Sequence, residues 1–305
     1  MSTCLGLYIE NNLIKYAKVT KEHDQVKVES FGTKFYDNLD QAIKQVIEET
    51  YSYRIPISTN LSEEIYNYFN VFGLLSKKDL PKAIKTEFEA YCGDKGYNPN
   101  VFETRYALTP NTQEKEKIKV IHVSENKIEL NKKLQKFSSY HLQNIAPISM
   151  TISDITEFDE RQNALIVNIE EKTIITTILD QKIYDINILD IGSQEILDKI
   201  NLKENSYAKA YEICKETIIY TSEGKGLNDY EEDTNYLEDI MPTLYQIVGQ
   251  LRKIINESMD KIEKVYITGT AALINNIDLY FEEYLEGVKC EILKPNFVKI
   301  SPEIN

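Results

Sequence analysis

Two stretches of the chain show the same order of strand-like and helix-like hydrophobic patterns. The first stretch has three segments with strand-like alternation and then apolar residues at helical spacing: 5–9, 13–20, 26–31 and 39–51. The second stretch shows the same order, with strand-like segments followed by helical ones: 164–169, 173–179, 182–188, 194–200 and 207–216. A period of two indicates strands and a period of 3.6 indicates helices. The duplicated order predicts two α/β halves with mixed sheets, although no short sequence repeat accompanies it.

A segment of different character interrupts the first half. It opens with one helical stripe: Leu80, Ile84, Phe88 and Tyr91. Pro81 suits the first turn of that helix. Two strand-like segments and a second helix follow, at 101–108, 118–123 and 128–137, and Ser124 is the candidate N-cap of the second helix.

This pattern predicts a compact helix–strand–strand–helix module over residues 78–142. The first half is then expected to comprise residues 1–77 and 143–160. We expect the second half over 161–305, with a smaller subdomain around 200–262.

The cleanest helical stripe lies late in the chain: Leu237, Ile240, Met241, Leu244, Ile247, Val248, Leu251, Ile254 and Ile255. It leads to a strand at 265–268, and 288–293 is expected to close the sheet. The acidic, glycine-containing stretch 223–235 is expected to be a loop. Asp190-Ile191-Gly192 is expected to be a turn that enters a helix capped by Ser193.

Charge, cysteine and histidine content narrow the possible partners, the redox compartment and the possible site chemistry. The formal net charge is −14 and the pI is about 4.9, so the surface should repel phosphate backbones and nucleic acid is not expected. The four cysteines show no CxxC spacing, which is typical of free thiols in a reducing compartment. His23, His122 and His141 share no helix face, so no metal site or catalytic histidine is expected.

The chain shows neither a basic, apolar leader nor a window with the roughly 20 apolar residues of a membrane span. We therefore expect a cytoplasmic protein that reaches the inner face of a membrane only through a partner.

Three strand–turn junctions stand at compatible spacing: CLGLYIENNLIKYAKV at 4–19, ALIVNIEEKTIITTIL at 164–179 and KVYITGTAAL at 264–273. They resemble the phosphate-1, phosphate-2 and adenosine elements of the actin-like ATPase superfamily. The whole order, including the inserted module, resembles the branch that contains the pilus-assembly protein PilM and FtsA. This resemblance implies an actin-like (ribonuclease H-like) fold with duplicated mixed-sheet domains. It also implies that the module is the α+β subdomain called 1C.

The first motif keeps part of the family's pattern. Gly6, Asn11 and Lys15 fit it. Tyr8, however, stands where the family has aspartate, and Glu10 stands where it has glycine. The resemblance therefore places an altered phosphate-binding turn at residues 6–15.

The other motifs are altered as well. Asn168 and Glu170, followed by Thr173, take the place of the family's D-I-G, and Gly269-Thr270 takes the place of its paired glycines. Glu212 and Lys215 keep the spacing of a helical element that contacts the nucleoside in many relatives. An ordinary helical ion pair explains that spacing equally well.

These departures bear on catalysis. Glycines let the backbone amides approach a phosphate, whereas glutamate side chains at Glu10 and Glu170 obstruct it and bring negative charge. Each such pair of charges at about 5 Å costs about 3 kcal/mol at an effective dielectric constant of about 20. Tyr8 and Asn168 are uncharged and poor ligands for Mg²⁺. We expect no ATP hydrolysis and no cofactor; ATP with magnesium is expected only if this interpretation fails.

The resemblance implies a non-catalytic scaffold of a type IV pilus assembly platform. PilM-type proteins capture the N-terminal peptide of a membrane protein, PilN, in a groove between the 1A subdomain (the first actin-like half) and 1C, and thereby link it to the platform and its motor components. From position alone, the candidate groove residues are Ile84, Phe88 and Tyr106. Two alternatives stay open: a scaffold of type II secretion that resembles the cytoplasmic domain of GspL, and an ATP-binding protein that polymerises like FtsA. GspL-like proteins normally continue into a membrane span.

Overall fold

The computed structural model describes residues 2–23, 25–61, 63–110, 116–158, 162–219, 236–258, 260–295 and 298–300. The expected loop at 223–235 lies outside these ranges. The chain divides into two compact units, one of Met1–Thr151 with Phe297–Asn305 and one of Ile152–Asn296. From the sequence, we expected the two halves to meet at residue 160 and the whole C-terminus to belong to the second half. The C-terminal difference arises because the last described strand, at 298–300, pairs with a strand of the first unit.

The first unit contains a six-stranded sheet. Its strands are β1 (Ser2–Ile9), β2 (Leu13–Glu22), β3 (Gln25–Phe35), β4 (Ile57–Asn60), β8 (Leu142–Ala146) and β14 (Val298–Ile300). The spatial order is β14-β3-β2-β1-β4-β8, in which β1, β2 and β3 are antiparallel neighbours and β4 and β8 add in parallel. Helix α1 (Leu39–Glu49) connects β3 to β4.

The core of this unit forms where α1 covers the sheet. Ala42, Ile43, Val46 and Ile47 of α1 are buried in one cluster with residues of β1, β2 and β4: Leu5, Leu7, Ile14 and Ile57. The helical stripe in the sequence thus corresponds to the buried face of α1. Asn38 caps the helix, since its side chain accepts a hydrogen bond from Gln41 N.

An inserted module lies between β4 and β8. It consists of β5 (Ile65–Phe72), α2 (Leu80–Lys95), a 3-10 turn (Pro99–Val101), β6 (Phe102–Pro110) and β7 (Lys117–Asn126), followed by α3 (Lys127–Lys136). Its sheet is antiparallel in the order β5-β7-β6. Helix α2 packs on this sheet through Ile84, next to Val71 and Val120.

The module differs from the expectation in two respects. Strand β5 was not expected, and β7 continues through the expected cap at Ser124, which is buried opposite Thr104. Asn126 caps α3 instead, because its side chain accepts a hydrogen bond from Ile128 N. The residue after α3, Phe137, belongs to the core of the first unit, so α3 leads the chain back to the six-stranded sheet.

The second unit repeats the sheet of the first. Its strands are β9 (Ala164–Ile169), β10 (Thr173–Leu179), β11 (Lys182–Leu189), β12 (Lys264–Gly269) and β13 (Lys289–Ile292), in the order β11-β10-β9-β12-β13. Three antiparallel strands again precede two parallel ones. The duplicated architecture expected from the sequence is therefore confirmed.

The helices of the second unit are α5 (Ser193–Glu204), α6 (Tyr207–Glu216), α7 (Leu237–Glu257) and α8 (Ile277–Tyr284), with a 3-10 turn at Thr270–Leu273; the short helix α4 (Ile148–Asp154) precedes β9. The expected cap at Ser193 is wrong, because Ser193 is already the first helical residue. The N–H of Gly192 donates to the carboxylate of Glu195 at 2.7 Å and thereby closes the helix entry.

Candidate functional site

The second and third motifs meet at the carboxyl ends of two neighbouring strands of the five-stranded sheet. Strands β9 and β12 run parallel, with Gly269 beside Ile169. Gly269 has φ of +95°, and a Cβ atom there would lie 2.4 Å from the carbonyl oxygen of Ile169. Only glycine fits both the left-handed backbone and this close contact. The turn after β9 and the helical turn after β12 are therefore held against each other.

Glu170 closes the space between these two turns. Its side chain is buried, and Oε2 accepts hydrogen bonds from Thr270 N at 3.0 Å and from Thr270 Oγ1 at 2.7 Å. The first N–H groups of a helical turn are natural donors to an anion. Here a carboxylate of the chain itself occupies the donors of Thr270.

The entry of α5 joins the same turn. Ser193 N donates to the carbonyl oxygen of Glu170 at 2.6 Å. A Cβ atom on Gly192 would lie 2.1 Å from that oxygen and 2.6 Å from the carbonyl oxygen of Glu171. The glycine before α5 is thus required by packing against the 170–171 backbone.

Asn168 and Thr173 flank the turn and are buried. Asn168 Nδ2 and Thr173 Oγ1 find no hydrogen-bond partner among the described residues. Neither side chain carries charge. Within the described ranges, no three histidine, cysteine, aspartate or glutamate side chains gather as a metal site.

The first motif forms the β1–β2 hairpin of the first unit. Gly6 pairs with Ala17 and Tyr8 with Lys15. Glu10 N donates to Leu13 O at 2.9 Å, and Tyr8 Oη reaches Glu10 Oε1 at 3.4 Å.

Further contacts fix the Glu10 turn. The hydroxyl of Tyr36 donates to the carbonyl oxygen of Glu10. Ile9 N donates to Asn60 Oδ1 at 2.9 Å, and Asn60 Nδ2 donates to Ile9 O at 3.1 Å. Asn11, at the tip of the hairpin, is exposed. The chain's own tyrosine and asparagine side chains thus hold this turn.

Glu212 and Lys215 lie on the exposed face of α6. Lys215 Nζ contacts Glu212 Oε2 at 2.8 Å, so the ordinary helical ion pair is formed. An exposed pair of this kind contributes about 0.5 kcal/mol or less.

The three expected groove residues line one cleft of ≈ 400 Å³. All residues that line it belong to the inserted module, whereas the expected groove lay between the first half and the module. Ile84 and Phe88 of α2 are buried and form its apolar wall, whereas Tyr106 of β6 is 42% exposed. The remaining walls are residues that the sequence did not single out for this cleft: Pro81, Lys85, Thr104, Arg105 and His122. Among the described strands, β6 pairs only with β7, so the cleft runs along a sheet edge.

His122 is packed in this cleft rather than placed on the surface. Its ring centroid lies 4.4 Å from that of Phe88. Burial lowers the pKa of His122 to about 4, so the ring is neutral at pH 7. No described residue supplies a hydrogen-bond partner for its Nδ1 atom.

A partly buried cluster of charged residues at the base of the module was also missed. Lys133 Nζ donates to Asn60 O at 2.6 Å, and Glu125 Oε2 accepts from Glu63 N at 3.1 Å. Burial lowers the pKa of Lys133 to about 8, although Glu125 and Glu64 oppose that shift. Burial likewise raises the pKa of Glu64. Because Asn60 also bonds Ile9, this cluster connects the first-motif turn to the module.

Comparison with solved structures identifies the fold. The chain superposes on a chain of the PilM–PilN type IV pilus biogenesis complex with a TM-score of 0.75, at 16% sequence identity, over 98% of this chain and 91% of that one. In its fold the chain is PilM-like. The ethanolamine utilization protein EutJ from Carboxydothermus hydrogenoformans also matches, with a TM-score of 0.55 and 10% identity over 98% of this chain and 85% of EutJ. The expected actin-like architecture is thereby confirmed.

Comparisons by sequence give no further assignment. No family model matches the chain, and no curated protein matches it. None of the helices within the described ranges combines the length and apolar content needed to cross a lipid bilayer.

Proposed function

We propose that this protein is a non-catalytic scaffold of a type IV pilus assembly platform, which works at the cytoplasmic face of the membrane through a PilN-like partner. The observation that carries the proposal is the hydrogen-bonded carboxylate of Glu170. A triphosphate at the junction of β9 and β12 would compete with it for the N–H of Thr270 and would meet its negative charge. Nucleotide would have to displace a bond that the folded chain already makes.

The surrounding residues support the same conclusion. Asn168 offers an amide where a magnesium site needs a carboxylate, and Tyr8 offers a phenol. The Glu10 turn is filled by contacts of its own chain. A protein of this fold without a working nucleotide site can still act by holding a partner protein on its surface.

The cleft of the inserted module is the docking site in this proposal. PilM was solved as a complex with PilN, which makes a PilN-like protein the first partner to consider. Ile84 and Phe88 offer an apolar wall, and β6, which pairs only with β7 among the described strands, offers a sheet edge. Such a site fits an extended segment that places an apolar side chain against Phe88.

Titration of the full chain with the N-terminal segment of a PilN-like protein from the same genome tests docking. We expect saturable binding that millimolar Mg-ATP leaves unchanged. Tyr106→Ser should weaken it about tenfold, because an exposed aromatic contact is lost. Tyr53→Ser is the matched control, since Tyr53 is 63% exposed in the same unit but outside the cleft.

Two results would contradict the proposal. If the folded protein does not bind the segment, docking at this cleft is wrong. If binding requires ATP, the scaffold is not nucleotide-independent.

A further inference from the structure

Three tyrosines converge on the surface of the second unit where α7 and α8 pack together. The ring centroids of Tyr280 and Tyr284 are 4.8 Å apart, and those of Tyr245 and Tyr284 are 6.1 Å apart with the rings nearly perpendicular. They border a cleft of ≈ 560 Å³ whose other walls come from the first turns of α7: Leu237, Glu238, Met241 and Pro242. We call this surface the tyrosine cage.

Two of the three tyrosines of the cage, Tyr245 and Tyr284, lie outside the core of the unit. The inward face of α7 is formed by other residues, among them Ile240, Leu244 and Ile247, which are fully buried. Tyr245 is 62% exposed and Tyr284 is 40% exposed, while Tyr280 is buried and packs against Tyr284. Among the described residues, the rings of Tyr245 and Tyr284 are therefore partly exposed at this surface.

The electrostatics of the cage favour a cation. The face of an aromatic ring carries negative potential, and a cation within about 6 Å of the ring centroid is attracted to it. Glu238 adds a carboxylate to the wall. The only basic residues of α7 and α8 are Arg252 and Lys253, toward the end of α7. They contact Glu286 and Glu257 respectively. Beside the first turn of α7, Lys203 of α5 pairs with the carboxylate of Asp239, and Lys199 donates to the carbonyl oxygen of Asp239.

We propose that the tyrosine cage binds an arginine or lysine side chain of a partner protein segment. The cationic head lies over Tyr245 and Tyr284 beside Glu238, and the aliphatic stem lies along Met241 and Pro242. The net charge of −14 favours the approach of such a basic segment. This interaction surface is separate from the cleft of the inserted module and does not depend on the scaffold proposal.

A methyl NMR titration tests the proposal on the full chain. The protein contains four methionines, so ¹³C-methyl labelling gives a simple spectrum, and Met241→Leu assigns the reporter in the cage. The probe is a blocked pentapeptide with a central arginine between two leucines. Its matched control replaces arginine with citrulline, which keeps the shape and removes the charge. We expect the arginine peptide to shift the Met241 signal saturably and the citrulline peptide to bind at least about fivefold more weakly.

Variants locate the interaction. Tyr245→Ala and Tyr284→Ala should each weaken binding about fivefold, whereas Tyr245→Phe, which keeps the ring face, should stay within about twofold. Glu238→Gln should weaken binding about threefold and reduce its salt dependence. Tyr53→Ala, at an equally exposed tyrosine of the other unit, should have no effect.

Several outcomes would overturn the proposal. Equal binding of the citrulline peptide would mean that the surface recognises apolar groups rather than a cation. Unchanged binding in Tyr245→Ala and Tyr284→Ala would place the site elsewhere, and the absence of a saturable shift would remove it. If tetramethylammonium binds as tightly as the peptide, the occupant is a small cation and not a protein segment.

Discussion

Replacing Glu170 by alanine should destabilise the second unit by about 3 kcal/mol. The carboxylate accepts two buried hydrogen bonds from Thr270, at 3.0 Å and 2.7 Å. Bonds of this kind to a charged group contribute about 1.5–3 kcal/mol each. Removing the carboxylate also removes the free-energy cost of burying it, and this offsets part of the loss. Glu170→Gln keeps the shape and an acceptor oxygen, so it should cost only about 1 kcal/mol.

A double-mutant cycle isolates the interaction. Thr270→Val removes the hydroxyl but keeps the backbone N–H, and should cost about 1.5 kcal/mol. Combined with Glu170→Ala it should show a coupling energy of about 1 kcal/mol. Thr270→Ser keeps both donors and is the control.

Urea unfolding followed by circular dichroism gives the free energies, and amide hydrogen exchange at residues 270–273 reports the local bond. The reasoning is refuted if Glu170→Ala stays within about 0.5 kcal/mol of the wild type, or if the two substitutions are additive.

Three further predictions concern other parts of the fold. The pKa of His122 is about 4 in the folded chain and about 6.5 when unfolded, so stability should fall by about 2 kcal/mol between pH 7 and 4.5; His122→Phe should remove that loss in acid-unfolding curves. Gly192→Ala should cost more than about 2 kcal/mol, because its Cβ would meet the 170–171 backbone; Gly249→Ala, with open space inside α7, should instead stabilise by up to about 1 kcal/mol in urea titrations, and the reverse order would contradict the packing argument. Lys133→Met should loosen the base of the inserted module, seen as faster amide exchange around Asn60 and Glu125; unchanged exchange would show that the partly buried cluster is not structural.

The sequence alone predicted those helices and strands whose hydrophobic residues recur with a clear period. The alternation at β1–β3 and β9–β11 and the long stripe of α7 each correspond to an observed element. Strand β5 was missed because its sequence, IYNYFNVF, mixes tyrosine and asparagine, and Val71 is its one buried residue. A strand at the edge of a small sheet carries little hydrophobic signal.

The candidate site could be predicted only in part. Motif positions pointed to Glu170 and to Gly269-Thr270, but not to a bond between Glu170 and Thr270, which are 100 residues apart. That bond depends on the parallel register of β9 and β12. Contacts between the two strands fix this register, and the hydrophobic period within each strand does not predict it. Tyr106 and His122 likewise became neighbours only through the register of β6 with β7.

Calorimetric titration of the full chain with Mg-ATP addresses the central claim most directly, because it asks whether a nucleotide can replace the Glu170 carboxylate at Thr270. We expect no saturable heat at millimolar nucleotide and no release of phosphate. Micromolar affinity or steady turnover would contradict the account.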